Sequence, residues 1–139
     1  LPKKGGLLNY KAIRKEAAAT MADYDVRARG VGDRTADLSG GNLQKFIMAR
    51  SLKESPRVLI CAYPTRGLDI KATCFIRRKI LDARNRGCGI VLLSGDFEEL
   101  FSLSDRLMVL CRGRVAGEMR PKETTVRQVG MMMMGVAEA

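Results

Sequence analysis

Two short apolar runs, Val58-Leu59-Ile60-Cys61-Ala62 and Ile90-Val91-Leu92-Leu93, constrain the fold more than any other feature of the chain. Each is bounded by turn residues and rich in β-branched side chains, the pattern of a strand buried in a parallel sheet. Between them, Asp69 is placed to cap a helix that should reach Arg86, and Gly87 and Gly89 are placed to stop it. Strand, helix and strand in that order predict adjacent parallel strands, buried on both faces, joined by a right-handed crossover. A short helix over about 97–101 follows, then a hairpin of Leu107–Cys111 and Arg114–Glu118 about Arg112-Gly113. The Met-rich stretch from Thr124 to Met134 reads as an amphipathic helix whose methionines pack adaptably.

The first fifty residues read differently. Asn9 is a candidate N-cap for a helix from Tyr10 to about Met21, with Ile13, Ala17 and Met21 along one side. A polar loop over 27–37 leads to a second helix from about Gly41 to Lys53, with Leu43, Phe46, Ile47 and Arg50 at helical spacing. The whole is an α/β chain: a helical part over 1–55, then the sheet, hairpin and terminal helix over 56–139. At 139 residues, 46% of them hydrophobic, it is long enough for one core.

Composition removes several classes of chemistry. There is no His, so Ser-His and Cys-His nucleophiles are excluded and zinc spacings are lacking. Cys61, Cys74, Cys88 and Cys111 form no CxxC pair, and Cys61 and Cys111, inside apolar runs, read as small buried hydrophobes in a reducing compartment. The net charge of +10 raises a nucleic-acid reading. Its bases are scattered and aromatics make up 5% of the chain, so stacking platforms are not expected. The chain lacks an initiating Met and any secretory signal pattern, and is expected to begin within a longer protein.

The chemical signal lies in Leu38-Ser39-Gly40-Gly41-Asn42-Leu43-Gln44-Lys45. Glycines permit close backbone approach, a helix N-terminus offers free N–H groups and positive potential, and a Ser hydroxyl can donate to a phosphate oxygen. A plain N-cap serine, worth about 1 kcal/mol, would look the same in isolation. The second segment is Ala62-Tyr63-Pro64-Thr65-Arg66-Gly67-Leu68-Asp69, directly after the first strand.

From Leu38 to Asp69 the chain resembles the signature motif, Walker B strand and D-loop of ABC-type ATPases. Asn42, Lys45 and the Pro64-to-Asp69 run resemble the tandem ATP-binding proteins of simple-sugar and nucleoside importers. Leu43 departs from the polar residue usual there. The likeness extends through Leu103-Ser104-Asp105-Arg106 to Val129-Gly130-Met131-Met132-Met133. It implies a P-loop NTPase-like fold, here the C-terminal portion of the second ATP-binding half.

The resemblance implies that Ser39, Gly40, Gly41, Asn42 and Gln44 bind ATP held by the first half of the same protein. Asp69 would couple the two sites. Where the family places a magnesium-supporting Asp and a water-polarising Glu, this chain has Ala62 and Tyr63, and Gly95 stands at the place of the switch His. No G-x-x-x-x-G-K-[ST] P-loop occurs. No catalytic residue and no metal ligand is therefore expected here, and ATP and Mg²⁺ would both be shared with the partner half. The expected partners are that first half, membrane-spanning permease subunits and, indirectly, a periplasmic or lipoprotein solute-binding protein, at the cytoplasmic face of the cell membrane. No specific nucleic acid is expected. The rival readings are a basic nucleic-acid-associated fragment, which the salt dependence of DNA binding would expose, and a non-catalytic scaffold.

Overall fold

A computed structural model describes residues 3–4 and 7–135. In chain order the elements are β1 (Lys3–Lys4), β2 (Leu7–Leu8), α1 (Tyr10–Asp23), α2 (Gly40–Leu52), β3 (Val58–Ala62), α3 (Ile70–Asn85), β4 (Gly89–Leu93), α4 (Phe97–Leu103), β5 (Leu107–Cys111), β6 (Arg114–Met119) and α5 (Val126–Met133). They fall into two compact units, one of residues 1–59 and 64–91, the other of 60–63 and 92–139.

β3 pairs with β4. The Gly89 N–H donates to the Arg57 carbonyl at the start of both strands (2.9 Å), and the Tyr63 N–H donates to the Leu93 carbonyl at their end (2.8 Å). Bonds joining start to start and end to end require parallel strands, as expected. Burial on both faces does not hold. Leu59 and Cys61 are buried, but Val58 is 61% exposed and Ile60 69%, and Val91 in β4 is 50% exposed. Alternate side chains point to opposite faces, and no described element covers the second face. β5 also stays out of this sheet and pairs antiparallel with β6, with a register irregularity at Val109/Leu110. Both turn residues between them, Arg112 and Gly113, have positive φ, as a tight right-twisting hairpin requires.

In the first unit, α3 carries its buried side chains at Ala72, Ile76, Ile80 and Ala83, one stripe at helical spacing. Gly87 ends it with φ 90°. Helix α2 lies against α3, with Met48, Ala49 and Leu52 buried, Leu43 and Phe46 half-buried and Ile47 exposed. The end of α1 is tied to α3 by Tyr24, edge-on to Phe75 with ring centroids 6.3 Å apart, and by Lys79, whose ammonium lies 4.3 Å from the Tyr24 ring centre. β1 and β2 pair antiparallel ahead of α1, in a part of the chain expected to be helical.

In the second unit, Leu107, Val109 and Val129 form a core against which Phe97, Leu100, Phe101, Met119 and Met132 pack. Helix α5 opens with a capping box in which Thr125 and Gln128 satisfy each other's backbone N–H groups. Met132 faces the core while Met133 and Met134 are exposed, so the methionine run divides between packing and surface.

Candidate functional site

Four helices of the described residues start in the ordinary way. Asn9, Asp69, Asp96 and Thr125 each accept a hydrogen bond from a first-turn N–H of the helix that follows. Helix α2 does not. Ser39 occupies its N-cap position with extended backbone (φ −62°, ψ 156°), yet its hydroxyl makes no capping bond. The N–H groups of Gly40, Gly41 and Asn42 donate to nothing among the described residues. A serine, three open N–H groups and the positive end of a thirteen-residue helix thus face outward together.

The hydroxyl is instead engaged by Asn42, whose Nδ2 donates to Ser39 Oγ (2.9 Å). The other end of that amide, Oδ1, accepts from the backbone N–H of Arg27 (2.8 Å). One turn further along α2, Lys45 Nζ donates to the Asp25 carbonyl (3.0 Å) and to Asp25 Oδ2 (2.6 Å). The segment between α1 and the polar loop is therefore fastened to the first two turns of α2. Asp25 itself has φ 47°, a left-handed conformation that Asp tolerates better than most residues.

The two glycines differ in their surroundings. A Cβ on Gly40 would meet nothing within 4 Å, whereas one on Gly41 would lie 3.5 Å from Ala72 Cβ. Gly40 faces open space; Gly41 faces the first turn of α3. The first turns of α2 and α3 therefore meet at Gly41 and Ala72. Asp69 Oδ1 caps α3 by accepting from the Ala72 N–H (2.8 Å). Gln44 lies part-buried within α2. A cleft of about 520 Å³, lined by Arg27, Arg29, Arg34, Asp33, Asp37 and Leu38, opens on the loop that delivers Ser39.

Ala62, Tyr63 and Gly95 belong to the second unit, and all three are exposed. Tyr63 has φ 50°, a strained conformation for a bulky side chain. Neither Ala62 nor Tyr63 supplies a carboxylate, and no group of three or more His, Cys, Asp or Glu able to hold a metal ion occurs among the described residues. The open N–H groups of the α2 turn are hydrogen-bond donors of the kind that take an anionic group.

Sequence reading missed Asp25 and Arg27, which hold the turn from outside it. The Lys45 hydrogen bond and charge, with Arg27 assisting, lower the Asp25 carboxyl below its usual 3.8. Because the folded value is depressed, the contact contributes fully above the ordinary Asp range and is lost as pH falls through the folded value. Lys45→Met is expected to return the Asp25 midpoint to the ordinary range in a carboxyl NMR titration. An unchanged midpoint would show that Lys45 is not what holds the carboxylate.

The order and pairing of these elements give the fold of ABC-type ATP-binding cassettes. The dimeric post-hydrolysis state of an ATP-binding cassette bound to ADP and Pi superposes with a TM-score of 0.70 at 24% identity, over 86% of this chain and 51% of that one. The ATP-binding subunit of another ABC transporter gives 0.74 at 17% identity, over 93% and 57%. These likenesses establish the fold.

By sequence the chain is similar to ATP-binding proteins of sugar and nucleoside importers. It is 44% identical over 137 residues to the glucose import ATP-binding protein TsgD13 of Haloferax volcanii, covering 97% of this chain and 25% of the relative. It is 39% identical over 130 residues to the guanosine import ATP-binding protein NupO of Bacillus subtilis, covering 94% and 26%. To the nucleoside import ATP-binding protein NupA of Lactococcus lactis it is 37% identical over 132 residues, covering 95% and 26%. The chain thus spans about a quarter of the length of these relatives. No protein-family model matches it.

Proposed function

We propose that this chain is the C-terminal portion of the second ATP-binding half of an importer ATPase, and that its Ser39 turn completes a nucleotide site whose P-loop lies on the first half. The observation that carries the reading is the uncapped start of α2. A serine that declined its own helix and three unspent N–H groups form a donor set for an anionic phosphate. In this reading Ser39, Gly40, Gly41 and Asn42 face the γ-phosphate, with Gln44 behind them and Asp69 as the link to the second site. That second site, with Ala62, Tyr63 and Gly95, does not hydrolyse.

The chain's residues then bind and orient phosphate but move no proton. A general base is typically worth about 10²–10⁴ in rate, and neither Ala62 nor Tyr63 brings a carboxylate to act as one. Bound magnesium would neutralise charge on the nucleotide phosphates, held by groups outside this chain. Residues 1–55 would form the helical subdomain and 56–139 the C-terminal part of the ATPase core.

The names of the relatives support simple sugars or nucleosides as the class of imported solute. The partners would be the first ATP-binding half, permease subunits in the membrane and, through them, a solute-binding protein. No helix among the described residues is long and apolar enough to cross a membrane, and the proposal places the chain peripherally at the cytoplasmic face. The test is direct. The isolated chain is expected to show no ATPase activity above buffer, and magnesium-dependent turnover that survives repurification would end the proposal.

A further inference from the structure

We infer that Asn42 is a positioning residue that fixes the polarity of the Ser39 hydroxyl, turning its proton outward toward the nucleotide phosphate. The inference rests on the reading of Ser39 as a phosphate donor. The contacts that set this polarity start fifteen residues earlier, at Arg27.

A backbone N–H can only donate. The Arg27 N–H approaches one end of the Asn42 amide at 2.8 Å, so that end must be the carbonyl oxygen. The other end is then the NH₂ group, which also can only donate, and it lies 2.9 Å from Ser39 Oγ. Ser39 must accept there. One lone pair of its oxygen is engaged, while its proton donates to nothing among the described residues. A serine left to itself would divide its time among rotamers and acceptors; here the neighbouring amide leaves it a donor to an incoming oxyanion.

The amide orientation is itself secured. Val26, between Asp25 and Arg27, is buried, and its N–H donates to the Met21 carbonyl at 2.8 Å. Lys45 grips Asp25 on the other side. Because Asn42 and Lys45 lie three residues apart on one helix face, the same segment is held at both points. The segment thus sets the direction of a hydroxyl that it does not touch.

The test uses the complete protein carrying this sequence, with steady-state ATP hydrolysis measured for Asn42→Ala and Asn42→Asp, each with Ser39 present and in a Ser39→Ala background. Asn42→Asp keeps the acceptor for Arg27 but offers Ser39 only acceptor oxygens, so the hydroxyl proton is drawn inward. Asn42→Ala is expected to lower kcat about tenfold, the scale of one neutral hydrogen bond. Asn42→Asp should lower it about a hundredfold, the scale of a lost oxyanion donor. Both should leave KM for ATP nearly unchanged. In the Ser39→Ala background both losses should shrink to within about twofold, because their target is gone. Equal losses in the two backgrounds would mean that Asn42 acts through local stability or charge, and would overturn the inference while leaving the Ser39 site standing. A Ser39→Ala protein of undiminished kcat would overturn the site and the inference together.

Discussion

Ser39→Ala in the complete protein is expected to cut ATP hydrolysis by about 10²–10³-fold in kcat, the range seen when one preorganised donor to a developing oxyanion is removed. The change takes away a hydroxyl that caps nothing, so the helix itself should lose little. The ordinary cost of replacing an N-cap serine, about 1 kcal/mol, arises from a capping bond that Ser39 does not make. Unfolding midpoints should therefore be nearly equal while turnover is not. Tyr63→Phe supplies the contrast: its hydroxyl is not asked to transfer a proton, and hydrolysis should change little. If Tyr63→Phe stopped turnover and Ser39→Ala spared it, the roles of the two sites would be reversed from those proposed.

The largest effect on stability is expected at Ile76. It is 0% exposed, at the middle of the buried stripe of α3, with Ile80 one turn on and Ala72 one turn back. Truncation to Ala leaves a cavity among neighbours that are themselves fixed, at a cost of about 2–5 kcal/mol. A domain of this size has about 5–15 kcal/mol in all, so the midpoint of denaturant unfolding should fall steeply at constant m. Ile70, six residues earlier and exposed at the start of the same helix, is the control; Ile70→Ala should stay within about 0.5 kcal/mol of the parent. Equal effects at the two positions would mean that α3 is not buried as described. Since α2 packs on α3 beside Gly41, loss of α3 packing should also disturb the Ser39 turn, lowering turnover at temperatures below the unfolding midpoint.

Local features of the chain could be read from the sequence. Helix starts at Asn9 and Asp69 were legible because capping is local, a side chain meeting an N–H three residues on. The β3–α3–β4 order was legible because strand and helix periodicities differ within a single window. The buried face of α2 was not. Leu43, Phe46, Ile47 and Arg50 fit helical spacing as well as Met48, Ala49 and Leu52 do, and nothing within α2 itself says which side α3 will cover. The continuous apolar runs of β3 and β4 likewise gave no sign that one set of alternate side chains would be exposed. Composition within a strand does not reveal which neighbours cover it.

At the site, Ser39 and its glycines stood out as residue types, but the state of the serine did not. Whether it caps α2 depends on Asn42, and the direction of Asn42 depends on a backbone N–H fifteen residues earlier. No local pattern encodes that contact. The left-handed backbone at Asp25 and Tyr63 is equally silent in sequence, since neither is glycine.

The most direct test of the central claim is photolabelling with an ATP analogue that carries its reactive group on the γ-phosphate, followed by mapping of the labelled peptide by mass spectrometry. In the complete protein the label should fall within residues 38–45 of this chain, and should vanish when the P-loop lysine of the partner half is replaced. The isolated chain should not be labelled there. Labelling of the isolated chain, or its absence from 38–45 in a protein that is turning over ATP, would contradict the account.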